Sequence, residues 1–293
     1  MNRVVLLMAI IGLAVAHLWV KKTEGFQSKE RYPHLQQTEP PFGTSEPEVS
    51  EAPAVETPAA YVPQVDDDPR DLPWIASWSP VDKFARRNHN CTPTYTEAGP
   101  SKTTLITTPK SCEAGLPHTR AGDRIIIPDN IRNTDREEII RHELIHVYQA
   151  RNPALWRDFY SKQWAFELFE KPHKDMPVAI VQAKRGNPDT FREPWSCWKS
   201  RWWPAAIYTS IEAPDLRDAI TVWWDSWKNE ISKKPPPEWT AFFGPQSQDE
   251  HPHELAAVII TAEDTGYEAG RRLLTWWETS ATILYPSMVE VPS

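Results

Sequence analysis

The chain of 293 residues has only three cysteines, at positions 91, 112 and 197. A structural zinc site needs four ligands in paired spacing, so these three cysteines do not form one. Cys91 and Cys112 would form a disulfide if the folded part faces an oxidising compartment, which would leave Cys197 as a free thiol. The sequence also lacks basic clusters, nucleic-acid-binding motifs and internal repeats. These absences exclude a cysteine-based zinc domain and a nucleic-acid-binding protein.

The sequence has one long apolar run, which lies at its N-terminus. Residues 4–20 are apolar apart from His17 and are flanked by basic residues on both sides. Their length fits a short transmembrane helix or a slightly long signal peptide, and Ala-Val-Ala at positions 14–16 offers a cleavage site for the latter. Because the run continues past that site to a tryptophan and two lysines, we expect residues 1–22 to form an uncleaved, single-pass membrane anchor. The flanking charges do not decide its orientation.

A polar segment, residues 23–70, follows the anchor and is rich in proline, glutamate, threonine, serine and alanine. It carries three basic and ten acidic side chains, whereas residues 71–293 have a net charge of only −4. Apolar periodicity is absent from it, so it buries too little surface to offset the entropy cost of ordering. The sequence therefore predicts a disordered, semi-extended tether that leads to a folded domain at residues 71–293.

The most informative motif is HExxH, formed by His142, Glu143 and His146. Histidines four residues apart lie on one face of a helix, about one turn from each other, so both imidazoles can bind one Zn²⁺. The glutamate between them can reach a water at the open position of the metal and act as general base. This combination predicts a catalytic zinc site.

The segments around the motif have the pattern that such a site requires. Thr134 and Glu137 have the spacing of a capping box, and Asn152-Pro153 ends the pattern, which predicts a helix from residue 134 to about residue 150. Just upstream, residues 124–128 predict a short strand closed by proline. A strand followed by a helix that carries HExxH resembles the core of the zincin metallopeptidases, whose edge strand binds the peptide substrate in extended form. The resemblance implies that a zinc-activated water hydrolyses peptide bonds.

The zincin subfamilies differ in the third protein ligand of the zinc. The metzincin pattern requires glycine at position 149 and histidine at position 152, but this chain has Gln149 and Asn152. That subfamily is therefore excluded. No Gly-Thr…Tyr-Gly segment follows that would suggest an aspartate ligand.

A second candidate helix begins far downstream of the motif. Pro252 suits its first position, Glu254 lies in its first turn, and Ala257 is small enough to let two helices approach closely. A glutamate on a second helix resembles the third ligand of the gluzincins, which implies a site made of His142, His146 and Glu254. The separation along the chain is much longer than in thermolysin-like enzymes. His251 and His253 therefore remain alternative ligands.

The rest of residues 71–293 mixes short strands with helices, which predicts a single α+β domain; the resemblance makes it zincin-like. We expect helices at residues 153–169 and 267–277 and a strand at 205–209, whereas residues 219–224 suit either element. The chain has 15 tryptophans, many of them between residues 195 and 239. Most simply they build the core, although an aromatic substrate groove or a membrane-facing surface is the alternative.

Two classes of function agree with these features. The first is a membrane-tethered zinc metallopeptidase that acts on peptides or proteins near its membrane. The second is an envelope or virion structural or interaction protein that retains a zincin fold without turnover. Glu143 favours the enzyme, because a purely structural zinc site has no use for a general base. The pattern does not predict the oligomeric state or the cleavage preference.

Overall fold

The computed structural model of this protein describes residues 69–245 and 249–284, without the side chains of the last four. The expected anchor, and the expected tether except for its last two residues, lie outside the described residues. No helix among the described residues is long and apolar enough to cross a bilayer. All of these residues belong to one compact unit, and they combine two β-sheets with helices, so the α+β class is confirmed.

The first sheet has four strands, and their order in space is β1-β2-β4-β3. The strands are β1 (Tyr95–Ala98), β2 (Thr104–Thr108), β3 (His118–Arg120) and β4 (Arg124–Pro128). The strand predicted at residues 124–128 is confirmed as β4, but it is not at the edge, because β2 pairs with it in parallel and β3 pairs with it antiparallel. Its three isoleucines are buried, as expected for a strand covered on both sides. The edge strand next to β4 is therefore β3.

The second sheet has five antiparallel strands that follow one another in sequence order. They are β5 (Phe166–Phe169), β6 (Trp195–Trp198), β7 (Trp202–Tyr208), β8 (Ala219–Asp225) and β9 (Glu230–Ser232). Successive side chains point to opposite faces, so Trp223 joins the main core while Trp224 packs with Trp203 on the other face. Most tryptophans of this sheet are buried, as the core interpretation expects, and Trp227 is the exception at 71% exposure.

Eight α-helices lie among the described residues. They are α1 (Leu72–Ala76), α2 (Pro80–Ala85), α3 (Asn133–Arg151), α4 (Pro153–Phe159), α5 (Val178–Ala183), α6 (Pro237–Phe243), α7 (Pro252–Ala262) and α8 (Glu268–Leu284). Helix α3 packs against β3, β4 and α7, and α7 packs against α8. The main core lies between these helices and one face of the second sheet.

Helix α3 agrees with the predicted motif helix to within a residue at each end, but its N-terminus is built differently. The helix is capped by Arg132, without a side-chain cap hydrogen bond, and the predicted capping box is not formed. Thr134 instead donates to Asp135, which also pairs with Arg132. The capping-box prediction was therefore wrong, although the helix itself was right.

The helix expected at residues 153–169 is shorter than predicted. Helix α4 ends at Phe159, a π-helical turn follows at Tyr160–Trp164, and the chain then reverses into β5. Ala165 adopts a left-handed backbone, with a φ of 58°. Trp164 and Phe166 on either side of it are both buried in the main core. Tertiary packing of these two rings therefore outweighs the helical pattern.

The cysteines pair as the sequence allowed. Cys91 and Cys112 form a disulfide, whose two residues are 21 positions apart, and Cys197 is a free, buried thiol in β6. The disulfide packs beside Ile106 and Ile126, on the first sheet. It therefore ties the segment before β1 to the turn after β2.

Candidate metal centre

The two histidines of the motif and a glutamate from a distant helix meet at one point. His142 and His146 are one turn apart on α3, and their Nε2 atoms are 3.2 Å from each other. Glu254, in the first turn of α7, places Oε2 3.5 Å from each of these nitrogens. The fold thus brings together the three side chains that the sequence analysis named as zinc ligands.

The N-terminal half of α7 explains why the glutamate reaches the histidines. Pro252 is the first residue of the helix, as predicted, and His251 caps it by accepting a hydrogen bond from the next helical N–H. Ala256 and Ala257 are fully buried, and α7 packs directly on α3. Small side chains at a helix contact let two backbones approach closely, which brings the first turn of α7 over the motif.

The spacing of the three donor atoms fits a tetrahedral zinc ion. Zinc binds imidazole nitrogen and carboxylate oxygen at about 2.0–2.2 Å, so two ligand atoms of a tetrahedral site are separated by about 3.3–3.6 Å. The observed separations are 3.2 Å between the nitrogens and 3.5 Å from each nitrogen to the carboxylate oxygen. Two imidazoles and one carboxylate are also a ligand set that catalytic zinc sites use.

The two alternative ligands point elsewhere. The Nδ1 atom of His251 accepts the helix-capping bond, so its Nε2 carries the proton and donates to the carbonyl of Glu193 at 3.0 Å. The ring of His253 packs against Tyr160. Neither histidine belongs to a convergent group of metal-ligand atoms among the described residues. Glu254 is therefore the third member of the cluster.

Hydrogen bonds with Gln149 and Asn187 orient the side chains of His146 and Glu254. Gln149 donates from Nε2 to the carbonyl of His253 at 3.0 Å, which turns its Oε1 towards His146 Nδ1, 2.8 Å away. His146 Nδ1 then carries a proton, and its Nε2 lone pair faces the cluster. On the other side, Asn187 donates to Glu254 Oε1 at 3.0 Å and leaves Oε2 towards the histidines. Nothing in the local sequence marks Gln149 or Asn187 as such a partner.

Glu143 lies beside the cluster but outside the ligand group. Its carboxylate is buried and accepts a hydrogen bond from the Thr119 hydroxyl of edge strand β3 at 2.9 Å. Ligand atoms of Glu143, His146 and Asp189 lie within 4.8 Å of one another. Asp189 comes from the loop before β6 and was not identified from the sequence, because nothing local distinguishes it from other loop acids.

The electrostatics of the cluster follow from an excess of buried carboxylates. Burial raises the pKa of Glu143 well above its usual value, and the neighbouring Asp189 adds to the shift. Burial likewise raises the pKa of Asp189 to about 7. Burial alone would also raise the pKa of Glu254, but His146 and His142 hold it well below its usual value. The carboxylates of Glu143, Asp189 and Glu254 therefore lie close together, with only the two histidines to balance their negative charge.

The two histidines differ in protonation. Burial lowers the pKa of His142, which favours the neutral, metal-binding form. Burial has the same effect on His146, but the carboxylates of Glu254 and Asp189 outweigh it and raise its pKa well above the usual value. In the absence of a cation, a proton on His146 therefore supplies part of the missing positive charge.

Comparison with known proteins identifies no relative. No family model matches the chain, and neither the curated proteins nor the solved structures give a match. The chemistry of the site is therefore inferred from its own side chains and their geometry.

Proposed function

We propose that this protein is a zinc-dependent metallopeptidase, in which His142, His146 and Glu254 hold the ion. The observation that carries the proposal is the separation of the three donor atoms, 3.2–3.5 Å, which matches the edges of a zinc tetrahedron. A zinc ion bound there would lower the pKa of a water molecule and polarise a substrate carbonyl. Three protein ligands leave one position open, as catalytic rather than structural sites do.

Glu143 is the general base of the proposed reaction. It takes a proton from the attacking water as the new C–O bond forms, and passes that proton to the amine nitrogen as the C–N bond breaks. Its position suits this role, because it adjoins the ligand group without belonging to it and the Thr119 hydroxyl fixes its orientation. The same carboxylate argues against the alternative of a retained fold without turnover, because a non-catalytic zinc site needs no buried base there.

The proposed substrate is a peptide in extended conformation. Edge strand β3 adjoins the cluster through Thr119. The backbone N–H of Thr119 points away from β4, towards the loop that carries Asp189. The three residues of β3 are buried, but no strand of the described residues pairs with its outer edge, and such an edge can hydrogen-bond an extended peptide main chain. This placement supports a peptide bound along β3, with its scissile bond at the His142–His146–Glu254 cluster.

We also propose that the protein acts at a membrane. The apolar run at residues 4–20 supports this, with a tether at residues 23–70 whose reach is about 35–40 Å for a flexible chain. A catalytic domain held within that distance acts preferentially on neighbouring proteins. Extraction of membranes with alkaline carbonate and N-terminal sequencing test it. A carbonate-soluble protein that begins at His17 would show cleavage after residues 14–16 instead.

The test of the metal site is zinc analysis of the purified full-length protein. We expect about one equivalent in the wild type and in His253→Ala, and none after dialysis in Glu254→Ala and in His142→Ala/His146→Ala. Cleavage of a peptide library by the same preparations should follow the zinc content. Full zinc retention in the double histidine variant, or stronger loss in His253→Ala than in Glu254→Ala, would contradict the proposed ligand set. Bound zinc without any cleavage would favour the structural alternative.

A further inference from the structure

The loop between helix α5 and strand β6 is held at both ends by hydrogen bonds. Gly186 donates its N–H to the buried carboxylate of Asp82 at 3.0 Å, and its carbonyl accepts from Arg86 at 2.9 Å. At the other end, the carbonyl of Glu193 accepts from His251 at 3.0 Å. These partners are buried, so the two ends of the loop are part of the core.

Between these ends the loop crosses the proposed substrate-binding edge. The backbone N–H of Thr119 on β3 donates to Asp189 Oδ1 at 2.8 Å. Asn187 binds Glu254, and its own Oδ1 accepts from the N–H of Asp189 at 2.9 Å. The carbonyl of Asn187 also accepts from Thr190 at 3.2 Å. Residues 187–190, which we name the strap, therefore lie on both the edge strand and the metal cluster.

The strap lies between two cavities. A cavity of about 140 Å³ borders His118, at the start of β3, together with His142 and Glu143. A cavity of about 50 Å³ borders residues 121–122, just past the end of β3, together with His146. Pro188 and Asp189 line both cavities. If the strap moved away, the two spaces would join into one groove along β3 and past the cluster.

We propose that the strap is an autoinhibitory element that occupies the place of the peptide substrate. This inference rests on the proposed peptidase function. Asp189 offers a carboxylate oxygen to Thr119 N–H, the donor that an extended substrate would engage through a peptide carbonyl. It also lies beside Glu143 and His146, where the scissile carbonyl would have to be. Substrate and strap therefore compete for the same donor and the same space.

The competition lowers the apparent affinity for peptides by an amount that depends on how often the strap is open. A ligand that binds only the open form has an apparent dissociation constant raised by the inverse of the open fraction. Removing the Asp189 carboxylate breaks the bond between the strap and β3, and a hydrogen bond to a charged group stabilises the closed form by enough for a factor of about ten or more. Both ends of the strap segment keep their core contacts in such a variant, so the fold is retained.

The experiment measures peptide binding without turnover, in the Glu143→Gln background. The probe is a fluorescein-labelled pool of random decapeptides, followed by fluorescence anisotropy. We expect Asp189→Ala to tighten binding about tenfold or more, and Asp189→Asn, which keeps an oxygen for Thr119, to tighten it less. Asp129→Ala, on an exposed loop residue, is the matched control and should bind as the background does. Unchanged, weaker or undetectable peptide binding in Asp189→Ala would contradict an autoinhibitory role of the strap.

A second measurement uses the strap sequence as it is. Added peptide should speed hydrogen exchange at the N–H groups of Asp189 and Thr190, because displacement of the strap breaks the bond to Glu254 that holds their acceptor, Asn187, in place. Thr119 should stay protected by the peptide. Equal exchange at these groups with and without bound peptide would overturn the inference. Failure of the proposed function gives a different result: tighter peptide binding in Asp189→Ala, but no cleavage by the same variant with Glu143 intact.

Discussion

Two groups of buried charged side chains border the same cavity, the metal cluster and a second group around Arg86. In the second group, which we name the arginine cluster, Arg86 binds Asp82 at 2.6 Å and Glu113 at 3.0 Å. Arg120 and Arg124 lie against Asp71 in the same way. Three guanidinium groups thus meet three carboxylates. The metal cluster, taken as His142, His146 and Glu254 together with the adjoining Glu143 and Asp189, has three carboxylates as well, but only two histidines to meet them.

The arginine cluster and the metal cluster also differ in the direction in which their polar atoms point. The Arg86 guanidinium lies 5.1 Å from the ring centroids of both Trp74 and Trp78, and it also donates to the backbone carbonyl of Gly186. Its donors are thus directed at partners from the chain itself. In the metal cluster, two imidazole nitrogens and a carboxylate oxygen point at a common centre. A buried group of acceptors that converges on one point, with a deficit of positive charge, favours a cation from outside the chain.

The comparison indicates that the two clusters have different tasks. The arginine cluster fixes α1 and α2 to β3 and to the base of the strap, so its charges contribute to the fold. At the metal cluster, burial raises the pKa values of Glu143 and Asp189, so their ionisation destabilises the metal-free fold; perturbed pKa values of this kind are common at functional sites. Substitutions that remove one carboxylate at a time can therefore separate activity from stability.

The largest expected effect is on catalysis. Glu143→Gln should lower kcat/KM for peptide cleavage by about 10²–10⁴-fold, because the variant lacks the base that takes the proton from water. Zinc content and unfolding midpoint should stay at wild-type values. Glu137→Gln, an exposed glutamate on the same helix, is the control and should leave cleavage unchanged. Wild-type cleavage by Glu143→Gln would remove the proposed mechanism.

The next largest effect is on stability, at the arginine cluster. Glu113→Gln leaves the buried Arg86 guanidinium without one of its two carboxylate partners and should lower the free energy of unfolding by about 3–5 kcal/mol, measured with urea. Burial alone would raise the pKa of Glu113, but Arg86 holds it well below its usual value. A lowered folded-state pKa means that this stability is present above the unfolded value of about 4.3 and is lost as the pH falls through the folded one.

The matched substitution at the metal cluster should behave differently. Burial raises the pKa of Asp189 to about 7, so this group lowers the stability of the metal-free protein as the pH rises from the unfolded value of about 3.9 to about 7, and the whole loss is present at higher pH. Asp189→Asn, measured at pH 8 without metal, should therefore leave stability unchanged or raise it. A loss as large as that in Glu113→Gln would show that the two clusters do not differ in kind.

The sequence predicted the elements that carry a local signal. HExxH predicts two ligands and a base from helix geometry alone, and Pro252 marks the start of α7, so the sequence named the three side chains that the fold brings together, His142, His146 and Glu254. The close approach of α7 was also foreseeable from the small side chain at position 257. Local chemistry and global packing agree at these positions.

The parts that sequence analysis missed depend on long-range packing. Edge strand β3 has three residues, too few for a periodic pattern, and only the neighbouring strand at residues 124–128 was predicted. Asp189 and Asn187 come from a loop whose path is set by Asp82 and Arg86, far away in sequence. The left-handed Ala165 that ends the helical turn before β5 is equally invisible, because alanine favours helices.

A smaller effect should follow from loss of an orienting contact. Gln149→Met removes the acceptor for His146 Nδ1 and should weaken zinc affinity by about 10–100-fold, as loss of an outer partner does. Gln149→Glu keeps an acceptor oxygen for His146 and should retain most of the zinc affinity. Tyr160→Phe, which removes one partner of the Gln149 amide and leaves its bond to the His253 carbonyl, is the control. Chelator competition measures all three, and equal affinities would show that Gln149 does not orient the ligand.

The smallest expected effect is a pH dependence of zinc affinity. Burial lowers the pKa of His146, but Glu254 and Asp189 outweigh it and raise the pKa above its usual value, whereas burial keeps His142 neutral. Zinc must therefore displace one proton, from His146, and affinity should rise about tenfold per pH unit until that pKa is passed. Chelator competition between pH 6 and 8, corrected for the chelator's own protonation, measures the slope. A slope of two protons would mean that a second group also loses a proton on binding, either His142 or one of the carboxyls with a raised pKa, Glu143 and Asp189. A slope of zero would mean that the carboxylate excess does not act on His146. The arginine cluster should contribute no such change, because Glu113 stays ionised throughout this range.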